Sequence, residues 1–384
     1  MLQGITVLDL ASVGPAARAS RWLADYGATV VKVGPVSKHG GVQIVPPFHS
    51  YGGHRGMKRL LVDLKSDTGR AAFGRLASIA DVLIESFRPG VVNALGIGPD
   101  ALRAANPRLV YCSTSGFGQD GPWSRVAGHD LNYLAVGGFL DTTHARADGG
   151  PPVPGATVAD SAGGGMQAVI AILAALVRRS TTGEGAYLDV AAADGVVALM
   201  SLAIDEYLAT GVVPAPRHGL LTGKYACYDL YEAADGKWLS VAAIEPHFWA
   251  NLCRLLGCEQ WTAQQMDDDA QDAIRADLRA AFKTKARDEW TAVLMEADTC
   301  VAPVLSVPEL VESPQFLARG SIAEADHPEA GRFRQTAPVL AGQPEPDGPY
   351  QLRAATETDV DELLLGAGLT AQEVAALRED GVVA

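Results

Sequence analysis

Two ionisable residues stand where proton chemistry can be arranged. Between residues 121 and 175 the chain reads GPWSRVAGHDLNYLAVGGFLDTTHARADGGPPVPGATVADSAGGGMQAVIAILAA. His129 and Asp130 follow Gly128 and precede the apolar run 131–140; Asp160 precedes Gly163-Gly164-Gly165 and the apolar run 166–177. Both are expected at loop-to-helix junctions, where backbone N–H groups lack intrahelical acceptors and favour negative charge. A histidine and an aspartate on opposite sides of one carbon can take a proton from one face and return it to the other, which inverts a stereocentre. Each group then needs a pKa near the working pH. Neutral imidazole is already close. A carboxyl at a helix N-terminus is not, so Asp160 must be desolvated or set beside other carboxylates. Asp130 and Glu245 are candidates for that company, or for orienting His129.

The carbon must also be acidic enough. Beside a free carboxylate, deprotonation builds a dianion; beside a thioester it builds an enolate that backbone N–H groups after His129 could hold. A cytoplasmic thioester points to coenzyme A, and its phosphates would give a use to the basic set Arg55, Lys58, Arg59, Lys65 and Arg88. Asp160 has a second possible task, as a nucleophile that attacks an acyl-CoA and moves CoA between acids. Helix capping is a third reading of His129 and Asp160, and the residues alone leave it open.

The elements that must position these groups follow a strand–helix alternation. Short β-prone runs lie at 5–10, 29–33, 60–64, 81–85, 109–113 and 187–191, with helical patterns at 16–26, 68–79, 91–95, 99–106, 166–177 and 193–210. That order predicts an α/β unit built on a parallel sheet, with ligands at the strand C-termini. The turn after the first strand, ASVGPAARAS, has no G-x-G-x-x-G, so no dinucleotide site is signalled. The Gly- and Pro-rich segment 211–224 ends this pattern. Beyond it a hairpin at 227–242, turning at Asp235-Gly236, and helices at 248–256, 269–282 and 286–296 predict a smaller α+β unit. The reading divides the chain into a large domain at 1–190, a linker at 191–220, a small domain at 221–310 and a C-terminal return at 311–384. A linker is expected at 343–350 and closing helices at 359–366 and 371–379.

Composition narrows the class. The chain has 384 residues, nearly half of them apolar, and a net charge of −14. Such a chain can bury a large core, and its charge argues against affinity for nucleic acid or anionic membrane. No basic leader opens the sequence, and the longest uninterrupted apolar run, 168–177, is too short to span a bilayer. A soluble cytoplasmic protein is expected. The five cysteines are scattered and odd in number, which fits buried thiols better than a disulfide framework or metal site. His39, His49 and His54 sit in the 38–56 loop at irregular spacing, so loop polarity is preferred to a metal site there too.

The chain resembles the CoA-transferase family III (CaiB/BaiF-like) proteins, most of all their α-methylacyl-CoA racemase branch. The motifs that carry the likeness are LASVGPAARASRWLADYGATVVKV, LLVDLKSD, DVLIESFRPGVVNALGIGP, NPRLVYCSTSGFGQDGP, AGHDLNYLAVGG, VADSAGGGMQAVIAILAAL, AAIEPHFW and ADTCVAPVLSVPEL, spread over nearly the full length. The transferase branch usually carries an aromatic or other residue where this chain has His129. The resemblance implies a Rossmann-like large domain, a small domain and an interlocked homodimer, with the active site between the large domain of one subunit and the small domain of its partner. It implies lipid metabolism and no metal or redox cofactor, coenzyme A being part of the substrate. It makes His129 and Asp160 the acid–base pair, with Glu245 against His129 and the Asp130 N–H near the thioester oxygen. It places Arg88 by the CoA pyrophosphate, Asp63, Leu64 and Lys65 on the adenosine side, and Leu95 and Gly96 nearby. Two departures stand out. Gly34-Pro35 replaces an acidic residue or acidic–basic pair, leaving Lys38 as a substitute phosphate contact. Thr222-Gly223-Lys224-Tyr225 replaces a GGAP-like run near the acyl pocket, and Lys224 there would favour a more polar acyl group.

Overall fold

Successive residues of a strand point to opposite faces, and here both faces are apolar. Val7, Val30, Val82, Ile84, Val110 and Cys112 belong to one buried cluster; Leu8, Val31, Leu83 and Tyr111 belong to another. A sheet covered on both sides is the natural outcome. A computed structural model describes residues 1–11, 13–36, 54–338, 348–354 and 356–384. The chain divides into two compact units, one of Met1–Gly138, Pro154–Ser201 and Gln315–Ala384, the other of Phe139–Val153 and Leu202–Pro314.

The first unit is built on strands β1 (Thr6–Asp9), β2 (Thr29–Gly34), β3 (Lys58–Leu61), β4 (Val82–Glu85), β5 (Val110–Ser115) and β6 (Tyr187–Ala191). They lie in the order β3-β2-β1-β4-β5-β6, all parallel. Strand order reverses between β1 and β4, and ligands of such sheets bind beyond the strand C-termini at that point. Helix α1 (Gly14–Asp25) starts at Pro15 and buries Ala16, Ala19 and Leu23 on one sheet face. Helix α2 (Asp67–Ala77), capped by the Ser66 hydroxyl accepting the Gly69 N–H at 3.0 Å, buries Phe73 and Leu76 on the other. Short helices α3 (Val91–Ala94) and α4 (Pro99–Ala105) lead from β4 to β5, and α5 (Asp130–Val136) follows β5.

Four expectations need correction here. The glycines after Asp160 do not precede a helix; they lie inside one. A π-helical segment, Ala159–Met166, runs without a break into α6 (Gln167–Thr182). The continuous helix Ala159–Thr182 is long and apolar enough by composition to cross a bilayer. Its Ala168, Val169 and Ile172 pack in the sheet core, and buried Arg179 donates to the Asp81 carboxylate at 2.8 Å. The third strand is 58–61 rather than 60–64. Lys58 and Arg59 suit a sheet edge, and from Val62 the backbone instead meets the C-terminus: Asp63 N–H donates to Val382 O at 2.8 Å and Val62 bridges Val383. The helix expected over 193–210 is two, α7 (Ala192–Leu199) and Ser201–Thr210, divided at Met200. A hairpin, β10 (Ile322–His327) with β11 (Gly331–Thr336), was not anticipated; β12 (Tyr350–Gln351) joins β10.

Helices Val360–Gly366 and Ala371–Glu379 bury Val360, Leu364, Val374 and Leu377 in the same cluster as Phe73 and Leu83. In the second unit, β7 (Tyr228–Glu232), β8 (Trp238–Ala242) and β9 (Val301–Pro303) form an antiparallel sheet. Gly236, at φ +78°, allows the turn between the first two. Helices Pro246–Leu256, Gln271–Phe282 and Arg287–Leu294 close over a core of Trp249, Tyr231, Phe282 and Trp290. The contact division thus puts 139–153 and 202–220 with the smaller unit, where the sequence reading has large domain and linker.

Candidate active site

Asp160 stands in the first turn of the π-helical segment, and the glycines explain how that turn is seated. A Cβ on Gly195 of α7 would come within 1.8 Å of Gly163 O. One on Gly164 would come within 2.6 Å of the Pro15 ring at the start of α1. Backbone therefore meets backbone on one side and a proline on the other, and only hydrogen fits between. The loop entering α1 is itself pinned, because Lys32 Nζ donates to Asp9 at 2.7 Å and to Ala11 O, deep in the core. Single-turn π segments are frequent at functional sites.

The carboxyl carried by that turn is abnormal. Asp160 N–H donates to Asp130 Oδ1 at 2.8 Å, which brings the two aspartates together. Burial, then the Asp130 charge, push the Asp160 carboxyl above the ordinary range; Arg18 and then His129 pull it back. The desolvation and carboxylate company that acid–base work requires are both present. Buried Tyr133 feels the same charges: burial, Asp160 and Asp130 push its phenol up, and its hydroxyl donates to Gly128 O at 2.5 Å.

His129 occupies the N-cap position of α5, with extended backbone and an exposed ring. Its N–H donates to Asn132 Oδ1 at 3.0 Å, while its imidazole makes no cap bond to the helix. Among the described residues the backbone N–H groups of Asp130 and Leu131 have no acceptor, so the start of α5 offers free donors beside the imidazole.

The residues expected along the nucleotide part of a ligand fall into two groups. Lys65 N–H donates to the Asp63 carboxylate at 3.0 Å, and Arg70 Nη1 donates to the Leu64 and Lys65 carbonyls at 3.3 and 2.7 Å. The Arg70 shaft also lies 3.9 Å from where a Cβ on Gly96 would sit, at φ +73°, so 63–65 and 95–96 adjoin. Leu64, Phe87 and Leu95 pack half-buried on one core cluster. Phe87 N–H donates to buried Glu85 at 2.7 Å, fixing the turn that presents the exposed Arg88. Arg55 and Lys58 have other occupations. Arg55 is buried, pairs with Asp25 at 3.2 Å, donates to Thr336 O and lies 4.1 Å from the Tyr350 ring centroid. Lys58 pairs with Glu362. Both correct the expectation of free phosphate contacts, because the return of the chain at 322–384 supplies partners that local sequence does not show. Lys38, His39 and His49 lie outside the described residues.

Glu245 belongs to the second unit, at the N-cap of Pro246–Leu256, with Cys300 close enough that its thiol is raised by burial and then by Glu245. Lys224 is turned to local partners. It pairs with Asp268 at 3.1 Å and lies 4.9 Å from the Tyr225 ring centroid, and both neighbours raise its pKa. Arg275 fixes the Gly223 and Lys224 carbonyls at 2.9 and 2.5 Å. Lys224 thus has an acidic partner within its own unit, where the sequence reading expects it free to favour a polar acyl group.

A separate cavity of about 190 Å³ lies between the loop after β5, the end of α5 and α7. Phe117, Trp123, Val136 and Val197 line it, with Asp120 and Asp194. Neither His129 nor Asp160 is among its lining residues. Among the described residues no group of three His, Cys, Asp or Glu side chains is placed to hold a metal. The cysteines are free thiols, four of them buried.

One residue that sequence reasoning missed is Arg18. Its only signal was its place, on α1 directly after the first strand. Its guanidinium reaches Thr157 Oγ1 at 2.6 Å and bears on Asp160.

Known proteins resemble this chain over most of its length. The chain is 33% identical to human alpha-methylacyl-CoA racemase over 385 residues, covering 100% of this chain and 97% of that protein. It is 35% identical to succinyl-CoA:mesaconate CoA-transferase of Haloarcula marismortui, over 86% of each chain. A crystal structure of a CAIB/BAIF family protein from Brucella suis superposes with a TM-score of 0.74 at 27% identity, covering 99% of both chains. With residues 2–354 matching the model for CoA-transferase family III, this chain belongs to that family.

Proposed function

We propose that the protein is an acyl-CoA racemase or epimerase that inverts the α-carbon of a 2-methyl-branched acyl-CoA. The observation that supports this most is the pairing of an unencumbered imidazole, His129, with a carboxyl, Asp160, whose surroundings raise its pKa toward neutrality. One removes the α-proton, the enolate is held by the N–H groups that open α5, and the other returns a proton on the opposite face. Asp130 holds the Asp160 backbone and keeps its carboxyl protonatable. Arg88, the 63–65 turn and Leu95-Gly96 are assigned to coenzyme A. The full-length likeness to the human racemase supports the same reading.

A second reading is CoA transfer through an Asp160 acyl species, supported by the equally close transferase relative. A chiral 2-methylacyl-CoA in deuterium oxide separates them. Racemisation gives α-deuterium with inversion, both lost in His129→Ala. Transfer gives a hydroxylamine-trappable Asp160 adduct and no α-exchange. Full activity in His129→Ala would sink the racemase reading.

We further propose a homodimer working in the cytoplasm, away from nucleic acid and membrane, without metal or redox cofactor. Met166, Ile170 and Val177 form a stripe on the helix face opposite the core, 47%, 59% and 70% exposed. A second copy would cover it. Analytical ultracentrifugation tests the dimer, and a monomer at micromolar concentration would refute it.

A further inference from the structure

Asp160 is faced from several sides. From α5 come His129, Asp130 and Tyr133; from α1 comes Arg18. Helix α7 meets the turn through glycine backbone, and its Asp194 lines the separate cavity instead. Two carboxylates thus share a half-buried corner. Such a pair tends to trap a proton between its members.

Arg18 is placed to oppose this. Its Cβ lies 3.1 Å from where a Cβ on Gly165 would sit, so its side chain leaves α1 directly against the π-helical turn. Its Nη2 donates to Thr157 Oγ1 at 2.6 Å, and Thr157 O in turn accepts the Ser161 N–H at 3.0 Å, one residue past Asp160. Among the described residues its buried Nε has no partner and its guanidinium no ion pair, so it is held by the packing of its shaft and by Thr157. A cationic side chain is therefore held against the turn that carries Asp160, where it opposes the effect of Asp130 on that carboxyl.

We propose that Arg18 is a positioning residue for the acid–base pair: anchored on Thr157, it offsets the charge of Asp130 and so sets the pH at which Asp160 works. This rests on the acid–base role given to Asp160 above. Without Arg18 the larger of the two opposing charges is lost, and the Asp160 carboxyl binds its proton more tightly.

The test titrates Asp160 directly, by isotope-edited infrared spectroscopy of the full-length, ligand-free protein, with Asp160→Asn supplying the difference spectrum. Arg18→Gln and Arg18→Met should both move the Asp160 titration to higher pH, and Arg18→Lys should restore it. The acid limb of α-proton exchange should move the same way. Exchange should fall roughly two- to fivefold on the acid side, the size expected of one partly exposed charge pair, and hold above it. Two neutral variants guard against one failing to fold, as checked by circular dichroism. An unmoved Asp160 titration in a folded neutral variant overturns the proposal, as does Arg18→Lys behaving like Arg18→Gln. A raised KM with an unmoved titration overturns it too, because Arg18 would then contact substrate. The titration needs no substrate, so a missing racemase activity beside a shifted Asp160 would sink the racemase reading, whereas an unmoved Asp160 beside full racemase activity would sink only the part given to Arg18.

Discussion

The two residues proposed as the acid–base pair are held in opposite ways. Asp160 sits in a turn wedged between α1 and α7, where a single methyl group would collide, and its carboxyl is shifted by what surrounds it. His129 sits on an exposed N-cap, its backbone tied to Asn132 by two hydrogen bonds, with no side-chain bond to its ring among the described residues. The difference follows from chemistry. An imidazole titrates near neutrality unaided, so it needs only placement. A carboxyl must be moved there by desolvation and like charge, so it needs a built environment. The wedge of glycines is the cost of that environment, and the bare N-cap shows that no such cost falls on the histidine.

The contrast can be tested from its strongest consequence down. Replacing either reacting group, His129→Ala or Asp160→Asn, should cost α-inversion about 10²–10⁴-fold, the usual worth of a general acid or base, read by loss of optical rotation and of α-deuteration. Equal losses would support a two-base mechanism; loss in Asp160→Asn alone would favour transfer chemistry. Gly195→Ala should come next. Its methyl would land on Gly163 O, and forcing it in should destabilise the unit by about 1–3 kcal/mol, measured by urea denaturation. A neutral result would mean the Asp160 turn is looser than the glycines suggest.

Asp160→Asn should also separate the regions by pH. Burial and Asp130 raise the Asp160 carboxyl, so the folded chain holds this proton more tightly than the unfolded chain does. Its contribution to stability is then fully present below the unfolded pKa and lost as pH rises through the folded one. Asp160→Asn should therefore melt higher than the parent at neutral pH, with the gain fading toward acid; a parent that melts higher at pH 7 would refute the shift. The smallest effect is expected on the histidine side. Asn132→Ala removes one exposed bond, and should cost about 0.5–1 kcal/mol in thermal melts with inversion slowed only modestly.

Much of the first unit could be read in advance because parallel strands are short, continuous and apolar. TVLD, VLIE and VYCSTS announce themselves without neighbours. IAEADH and GRFRQT did not, because their alternation is polar on one face and the strand that joins them, β12, lies further along the chain. The site shows the same divide. His129, Asp130 and Asp160 were marked by residue type and by the junctions they stand at. Arg55 and Lys58 were misjudged, since Asp25, Tyr350 and Glu362 claim them, and two of these lie some 300 positions away. Arg18 was passed over because an arginine on an amphipathic helix looks like any solvated surface charge.

By itself the sequence determined the α/β alternation, the place of the histidine and aspartate at helix starts, and the family. These depend on local pattern, on periodicity and residue type within a few positions. Only the tertiary structure decided that the Asp160 turn is π-helical, that Gly163 and Gly195 touch, that Asp130 binds the Asp160 backbone, and which arginine faces it. Those are relations between segments 30 to 140 residues apart. A carboxyl's proton affinity is set by charge and burial through space, and no single stretch of chain carries that information.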